Sequence, residues 1–414
     1  MLAVVGRAIL KILRKMTLDI TQVYQQIEAM AGEMRSQQTD YGQRLARSVE
    51  VLKSAAAIQE TLQHKAEKAH TSWLLAGLKE DIGSHKAPAP LPSDFCVVGC
   101  DGSHIDVDRH HSERLFLFNM GVVYLCYGSS PEAEFISSPT LYFGDEQQNI
   151  RSPQGQQVAI EGPLLGIKRG VEECRTLADC VSSINEGLPV LGLLDGSLIM
   201  WGLVGQRYED FVIKSLLDEG LLKQFDRFYG LNQTSPAALA SYISFPRSAD
   251  VTNLLRLEIC PYDPVDCDSH CQGKMEGSPC DEIAGIIDRA LFGELLGNKE
   301  RSPVFFSTSS INERYGMHKV CFFYLKMEEE VARVEVPQWV ADNETLLDLT
   351  HAIIIDQCDK GFGYPVCLSE AHEQAVVTAA DREQFWDLVE RVLQADNITS
   401  QRSLKQRSKR VRWI

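Results

Sequence analysis

The feature that most constrains this chain is a short pattern that occurs twice. Residues 95–103, "FCVVGCDGS", and residues 190–197, "VLGLLDGS", both place a run of mostly apolar residues directly before Asp-Gly-Ser. Runs of this kind are typical of buried central strands. An Asp at the end of such a strand faces a cleft on a rigid backbone, and the following Gly permits a sharp turn or the close approach of a ligand. Asp-Gly alone is a common turn dipeptide, so the prediction depends on the pair.

The two aspartates, Asp101 and Asp195, predict a site for divalent cations. Two carboxylates at the ends of neighbouring strands repel each other unless a cation lies between them. Mg²⁺ and Mn²⁺ prefer carboxylate and water oxygens. Two such ions about 4 Å apart activate a water molecule and stabilise the leaving oxygen of a phosphodiester. The pair therefore predicts metal-dependent phosphodiester hydrolysis.

A third acid for such a site is available on the helix predicted between the two copies, "GIKRGVEECRTLADCV". Glu172 and Glu173 flank its apolar stripe, and either could complete the ligand set. A solvated pair of glutamates is the alternative. Lys168 and Arg169, one turn earlier, are placed either to meet a phosphate or to pair with these acids.

A further constellation lies in "GFGYPVCLSEAHEQAVV", residues 361–377. A loop rich in Gly precedes a predicted helix that carries His372 near its start. A His in this position can ligate a metal ion or exchange a proton with a scissile phosphate. Tyr364 is a second candidate for contact with the substrate. For both residues a purely structural role is the alternative.

The remaining patterns divide the chain into four segments. Residues 1–83 predict a helical arm, of which residues 1–16 are either an amphipathic helix or an extension upstream of a start at Met16. Residues 84–94 carry three prolines at alternate positions and predict an extended connection. They are followed by an α/β domain over residues 95–395 and a basic tail, either solvated or in contact with DNA or a partner, over residues 396–414.

Strand and helix patterns are mixed within the α/β domain. Strands at residues 115–119 and 122–127 are close enough to form a hairpin beside residues 95–100. Further strands are predicted at residues 190–194, 239–244, 304–307, 320–326 and 331–335, and helices at residues 163–184, 208–228 and 369–395. Such a mixture predicts an α/β fold in which helices flank a mixed sheet.

The composition and net charge limit which binding partners and which cellular compartment are expected for this chain. The formal net charge of −16 argues against a surface coated with basic residues for nucleic acid, but a carboxylate-rich metal site with a local basic groove is compatible with it. Twelve cysteines spread over 414 residues, several of them in apolar strands, predict buried reduced thiols in a cytoplasmic protein. No apolar run reaches the roughly 18 residues needed to span a bilayer, so no membrane contact is expected.

Residues 260–280 form a cysteine-rich insert. The insert holds enough ligands for one tetrahedral Zn²⁺ ion, but it lacks the paired Cys-x-x-Cys spacing of a zinc ribbon. Free thiols in a loop are therefore the default prediction, and a structural zinc ion is the alternative. The ligands are Cys260, Cys267, His270, Cys271 and Cys280.

Taken in order, these motifs resemble those of the NurA family of DNA repair nucleases. The similarity runs from about residue 95 to residue 377 and includes Arg333, Glu335, Pro337 and Trp339, which match the family's Arg-x-Glu-x-Pro-x-Trp strand. The resemblance implies an RNase H-like core and a homodimer. It also implies Mn²⁺-dependent 5′ to 3′ exonuclease and single-strand endonuclease activity. The expected partner is a hexameric HerA-type ATPase, in DNA end resection and double-strand break repair.

The resemblance also assigns roles to residues of this chain. Asp101 and Asp195 match the metal-binding aspartates, and the helix glutamate falls on Glu172 or Glu173. Glu173 is favoured because Leu177 and Ala178 follow it in the usual spacing. The C-terminal Tyr and His, eight residues apart, match Tyr364 and His372.

Two other functions are compatible with parts of this pattern. A non-catalytic dimeric adaptor would dock the helical arm or the basic tail on an ATPase motor or a DNA end, but it has no use for clustered carboxylates. A different RNase H-like enzyme, such as a transposase or resolvase, shares the carboxylates but does not explain the Tyr and His motif.

Overall fold

The computed structural model describes residues 19–107, 114–184, 187–205, 208–271, 277–328 and 330–398, without the side chains of residues 36 and 37. The predicted N-terminal extension, residues 1–16, lies outside the described residues. Most of the predicted basic tail, from residue 399 onward, also lies outside them. In the part of the chain that the structure covers, no helix is long and apolar enough to cross a membrane.

The N-terminal arm consists of α1 (Ile20–Ala57) and α2 (Gln59–Glu67). The Asp19 side chain accepts hydrogen bonds from the backbone at the start of α1 and so caps the helix. The second half of α1 packs on the rest of the protein, where Arg47 Nε lies 3.0 Å from a carboxylate oxygen of Glu282. The residues assigned to the arm also contain β1 (Ala76–Leu78), which pairs with the main sheet.

The main sheet has nine strands in the order β1-β9-β10-β11-β8-β7-β2-β3-β4. β2, β3 and β4 form an antiparallel meander, and β7 and β8 continue the sheet parallel to β2. The predicted α/β fold with an RNase H-like mixed sheet is confirmed. The strands are β2 (Phe95–Ile105), β3 (Leu115–Tyr127), β4 (Glu132–Phe143), β7 (Val190–Asp195), β8 (Ala237–Ile243), β9 (Phe305–Ser307), β10 (Val320–Met327) and β11 (Glu330–Pro337). A separate pair consists of β5 (Asn149–Arg151) and β6 (Gln157–Ala159).

Helices cover both faces of this sheet. Side chains of successive strand residues point to opposite faces, and Gly99 of β2 lies against Cys367 whereas Gly102 lies against Glu173. The helices that carry these residues, α12 and α4, therefore lie on opposite faces. The helices after the arm are α3 (Asp145–Gln148), α4 (Pro163–Ser182), α5 (Asp210–Ile213), α6 (Leu222–Leu231), α7 (Asp250–Ile259), α8 (Cys267–Cys271), α9 (Asp288–Leu295), α10 (Gln338–Ala341), α11 (Glu344–Lys360), α12 (Val366–Ala375) and α13 (Ala379–Ala395). A π-helical stretch (Lys214–Leu221) joins α5 to α6, and three 3₁₀ helices cover Trp201–Leu203, Pro279–Ile283 and Ser310–His318.

The predicted hairpin between residues 115–119 and 122–127 is wrong. These residues form one continuous strand, β3, and its hairpin partner is β4. Gly121 does not make a turn, because it lies within β3 opposite Asp101. β4 was not predicted. Nearly all of its residues are exposed, and it therefore lacks the alternation of apolar and polar residues that is typical of a half-buried strand.

The cysteine prediction is wrong for one pair. Cys96 of β2 and Cys126 of β3 lie opposite each other and form a disulfide. The other ten cysteines are free thiols, including those of the insert. The prediction failed because two cysteines 30 residues apart in sequence become neighbours only when the strand register is fixed.

Candidate active site

The two Asp-Gly-Ser copies meet at one end of the parallel strands. β2 and β7 pair with Cys100 opposite Leu194, so the next residues, Asp101 and Asp195, lie side by side. Burial raises the pKa of Asp195, and the negative charge of Asp101 raises it further. The two carboxylates therefore form the electrostatically unfavourable pair that the sequence predicts.

Glu173 reaches the same site from α4. Its side chain is only 13% exposed. A Cβ atom at position 102 would lie 2.6 Å from Glu173 Oε1, so the glycine of the first Asp-Gly-Ser leaves room for this carboxylate. Burial raises the pKa of Glu173 to about 7, opposed by Arg169 and reinforced by Asp101. Arg169 Nε lies 2.9 Å from Glu173 Oε1, but within the described structure neither atom has a hydrogen-bond partner.

Glu172 lies elsewhere. Lys168 Nζ lies 2.6 Å from one of its carboxylate oxygens and Arg175 Nη1 lies 3.0 Å from the other. Together with Tyr142, these side chains line a different pocket. Adjacent residues on a helix project about a quarter-turn or more apart, which is why only one of the two glutamates reaches the aspartates.

His372 approaches Asp101 from the opposite face of the sheet. Its Nδ1 atom lies 2.7 Å from Asp101 Oδ2, and its side chain is 63% exposed. α12 comes this close because it crosses glycines: a Cβ atom at position 99 would lie 2.4 Å from the Cys367 carbonyl oxygen, and one at position 121 would lie 2.1 Å from the Ala371 oxygen. The helix backbone thus rests directly on the strands.

Tyr364 lies in the loop before α12. Its hydroxyl donates a hydrogen bond to the Asp195 carboxylate. Burial raises the pKa of the Tyr364 hydroxyl, and the charge of Asp195 raises it further, so the group stays protonated and keeps its role as donor. Its ring packs edge-on against Tyr242, with 5.6 Å between ring centroids.

These residues fit a hard divalent cation in kind. They supply three carboxylates, and burial and mutual repulsion together raise the pKa values of Asp195 and Glu173, so a cation between them would relieve the repulsion. Across the residues with described coordinates, no three His, Cys, Asp or Glu side chains stand close enough together to form a ready metal site. Asp101, Asp195 and Glu173 are the residues that would hold the ion, and His372 is the fourth candidate ligand.

A comparison with protein families decides the identity of the chain. The model of the NurA domain matches residues 96–377, which is more than half of the sequence. The chain belongs to the NurA family.

Comparisons with solved structures give two further similarities. The crystal structure of the NurA nuclease from Sulfolobus solfataricus is 13% identical, with 91% of this chain and 98% of that chain covered and a TM-score of 0.46. A structure of Aquifex aeolicus Argonaute is 11% identical, with 68% of this chain and 28% of that chain covered and a TM-score of 0.22. A comparison with curated proteins gives no match.

Membership of the NurA family supports a nuclease role in general, with DNA as the substrate class. The structure brings Asp101, Glu173, Asp195, Tyr364 and His372 together. It separates Glu172 from them.

Sequence reasoning missed one polar partner of the site, His104 at the end of β2. Its Nδ1 atom lies 3.3 Å from Arg169 Nη1, and its Nε2 atom lies 3.3 Å from a carboxylate oxygen of Asp106. The available signal was its position, three residues after Asp101 on the same strand.

Proposed function

We propose that this chain is a Mn²⁺- or Mg²⁺-dependent deoxyribonuclease that hydrolyses phosphodiester bonds and binds two ions. The observation that carries the proposal is the convergence of Asp101, Asp195 and Glu173 on one end of the parallel strands, where the buried Glu173 carboxylate lies close enough to both aspartates for their charges to raise its pKa. When bound, the ions activate a water molecule and stabilise the leaving oxygen.

The protein's own side chains would orient this chemistry. Tyr364 fixes the Asp195 carboxylate through its hydroxyl and lies where it can position the DNA. His372 contacts Asp101 and is exposed, so it is accessible either as a metal ligand or as a group that exchanges a proton with the phosphodiester. Arg169, beside Glu173, supplies positive charge for a phosphate.

The finer activity follows from the family resemblance. We propose single-strand endonuclease activity and 5′ to 3′ exonuclease activity on single- and double-stranded DNA, in end resection and double-strand break repair. The chain would act as a homodimer with a hexameric HerA-type ATPase. We place it in the cytoplasm, a proposal supported by the ten free cysteines. A structural zinc ion at the insert stays the alternative to free thiols, because cysteines outside a disulfide are compatible with both.

The two adjacent glutamates provide a matched test. End-labelled single- and double-stranded DNA is incubated with the wild-type protein and the variants Glu173→Gln and Glu172→Gln, in Mn²⁺, Mg²⁺ or EDTA. We expect metal-dependent cleavage that Glu173→Gln reduces by at least about 100-fold, because a lost ligand costs several kcal/mol of transition-state stabilisation. Glu172→Gln should stay within a few-fold of wild type. Equal losses in both variants would contradict the assignment.

The aspartates give the second part of this test. Asp101→Asn and Asp195→Ala should abolish cleavage while circular dichroism and thermal unfolding report an intact fold. Substantial cleavage by a folded Asp101→Asn protein argues against the site. Intact DNA with the wild-type protein in every condition, including with an added HerA-type ATPase, would favour the non-catalytic adaptor.

A further inference from the structure

A pocket of about 310 Å³ opens beside the carboxylates, and both Glu173 and Asp195 line it. Gly166 and Gly170 form part of its α4 wall. These glycines and Glu173 are spaced so that they share one face of the helix. A helix face without side chains next to a carboxylate leaves a smooth surface against which a flat group can lie.

A second part of the pocket lining is the segment that follows the second Asp-Gly-Ser. It contributes Trp201, which is 39% exposed although Leu198 and Ile199 are buried. The Trp201 Nε1 atom donates a hydrogen bond to Ser197 Oγ over 3.0 Å. This bond fixes one edge of the ring of a residue that lines the pocket.

Buried groups hold this segment in place. Glu335 accepts hydrogen bonds from Ser197 Oγ at 2.8 Å and from the Leu198 amide at 2.9 Å. The Tyr315 hydroxyl accepts from the Met200 amide and donates to the Leu198 carbonyl, both at 2.9 Å. Glu335 is 1% exposed, and a buried carboxylate is costly unless it is fully paired. Its Oε2 atom accepts both bonds from the segment that carries Trp201, and its Oε1 atom pairs with Arg333 at 2.9 Å.

We propose that this pocket binds the nucleoside adjacent to the scissile phosphate, with its base stacked on Trp201, and that Ser197 and Glu335 are positioning residues for that ring. This inference rests on the proposed nuclease function. The pocket pairs a carboxylate edge, suited to ions and a phosphate, with an aromatic and glycine-lined wall, suited to a planar base. Its volume lies at the lower end of ligand pockets, which begin at about 300 Å³. Stacking is tolerant of sequence because every base has a π-face.

The test compares single-stranded oligonucleotides that carry all bases with oligonucleotides that carry one abasic site next to the cleaved bond. For the wild-type protein, the abasic site should lower kcat/KM at that bond by about 5- to 150-fold, the loss of one stacking contact. Trp201→Ala should cause a similar loss on the normal strand and almost none on the abasic strand. Trp201→Phe, which keeps a stacking ring, should restore most of the activity.

Independent effects would overturn the proposal. If the loss of activity caused by Trp201→Ala multiplies with the loss caused by the abasic site, the base does not lie on this ring. The matched control is Tyr262→Ala, which removes an aromatic ring of 40% exposure from the cysteine-rich insert and should leave the abasic effect unchanged. Ser197→Ala should weaken cleavage at normal bases but not at the abasic site. A purely structural role would weaken both equally.

A binding measurement keeps this inference separate from the nuclease proposal. Fluorescence anisotropy of the same oligonucleotides, with Ca²⁺ in place of Mn²⁺, reports base stacking without cleavage. The wild-type protein could fail to cleave DNA and still bind the normal strand better than the abasic strand. If Trp201→Ala then loses this preference, the result would contradict the nuclease proposal and retain the pocket. Equal affinities for both strands would overturn the pocket.

Discussion

Two groups of acidic side chains in this molecule resemble each other in composition and differ in how they are satisfied. The site group combines Asp101, Glu173 and Asp195 with one arginine, Arg169. The second group, which we call the buried network, combines one arginine, Arg333, with three acids: Asp250, Asp288 and Glu335. Both include strand residues of the main sheet, but the buried network is almost fully buried whereas Asp195 of the site group is exposed.

Their hydrogen bonds also distinguish them. In the buried network, Arg333 contacts Asp250 and Glu335 at 2.9 Å each. Asp288 accepts bonds from the Val251 and Thr252 amides and from two hydroxyl groups. In the site group, the Glu173 Oε1 atom accepts none within the described structure. The pairing of the carboxylates in the buried network by protein donors therefore supports a structural role for that group.

Replacing the two arginines should give the largest difference between the groups. Arg333→Met leaves two buried carboxylates without a cation and should lower the free energy of unfolding by about 3–5 kcal/mol. Arg169→Met removes a partly exposed partner and should cost at most about 1 kcal/mol. Urea unfolding of both variants measures the contrast. Equal destabilisation would mean that the site group is as dependent on its arginine as the buried network.

The second-largest difference between the groups should be the effect of added metal on stability. Mn²⁺ at 100 times its dissociation constant should raise the free energy of unfolding of the wild-type protein by about 2.7 kcal/mol. Asp195→Asn should lose this gain. Without metal, Asp195→Asn should be at least as stable as wild type, because a repelled carboxylate becomes neutral. Thermal unfolding in Mn²⁺ and in EDTA checks both, and Glu335→Gln, which leaves the carboxylates of Asp101, Glu173 and Asp195 in place, should keep its Mn²⁺ gain.

A buried titratable group outside both groups shows what burial does without an acidic neighbour. Burial and, to a smaller extent, the charge of Arg301 lower the pKa of His351 from 6.5 to about 4. Arg301 itself pairs with Glu80 at 2.9 Å, and His351 also contacts the Lys299 carbonyl and the Phe323 ring. His351 should therefore be neutral in the folded protein at neutral pH.

The sign of the resulting pH dependence follows from this shift. The unfolded chain binds a proton at His351 at a higher pH than the folded chain does, so stability is present above about pH 6.5 and is lost as the pH falls toward 4. Between pH 7.5 and pH 5 the loss should be on the order of 2 kcal/mol. His351→Gln should remove this part of the pH dependence in urea unfolding. An unchanged pH dependence in the variant would show that other groups cause it.

The acidic residues of the site, and roughly which segments surround them, could be predicted from the sequence alone. Apolar runs that end in Asp101 and Asp195 predict central strands, because a fully buried strand needs apolar residues on both faces. The helix between them, and the His and Tyr after the glycine-rich loop, were also recognisable from local patterns. These patterns can be recognised without a structure because they depend on residues that are neighbours in the sequence.

Only the tertiary structure decided which side chains meet. The choice of Glu173 over Glu172 depends on the rotation of α4 against β2. The contact between His372 and Asp101 requires a helix more than 260 residues later to cross Gly99 and Gly121, and of these two glycines the sequence pattern placed Gly121 in a turn. Strand register decided the Cys96–Cys126 pair. Each of these depends on contacts between distant segments, which a local pattern of residues does not encode.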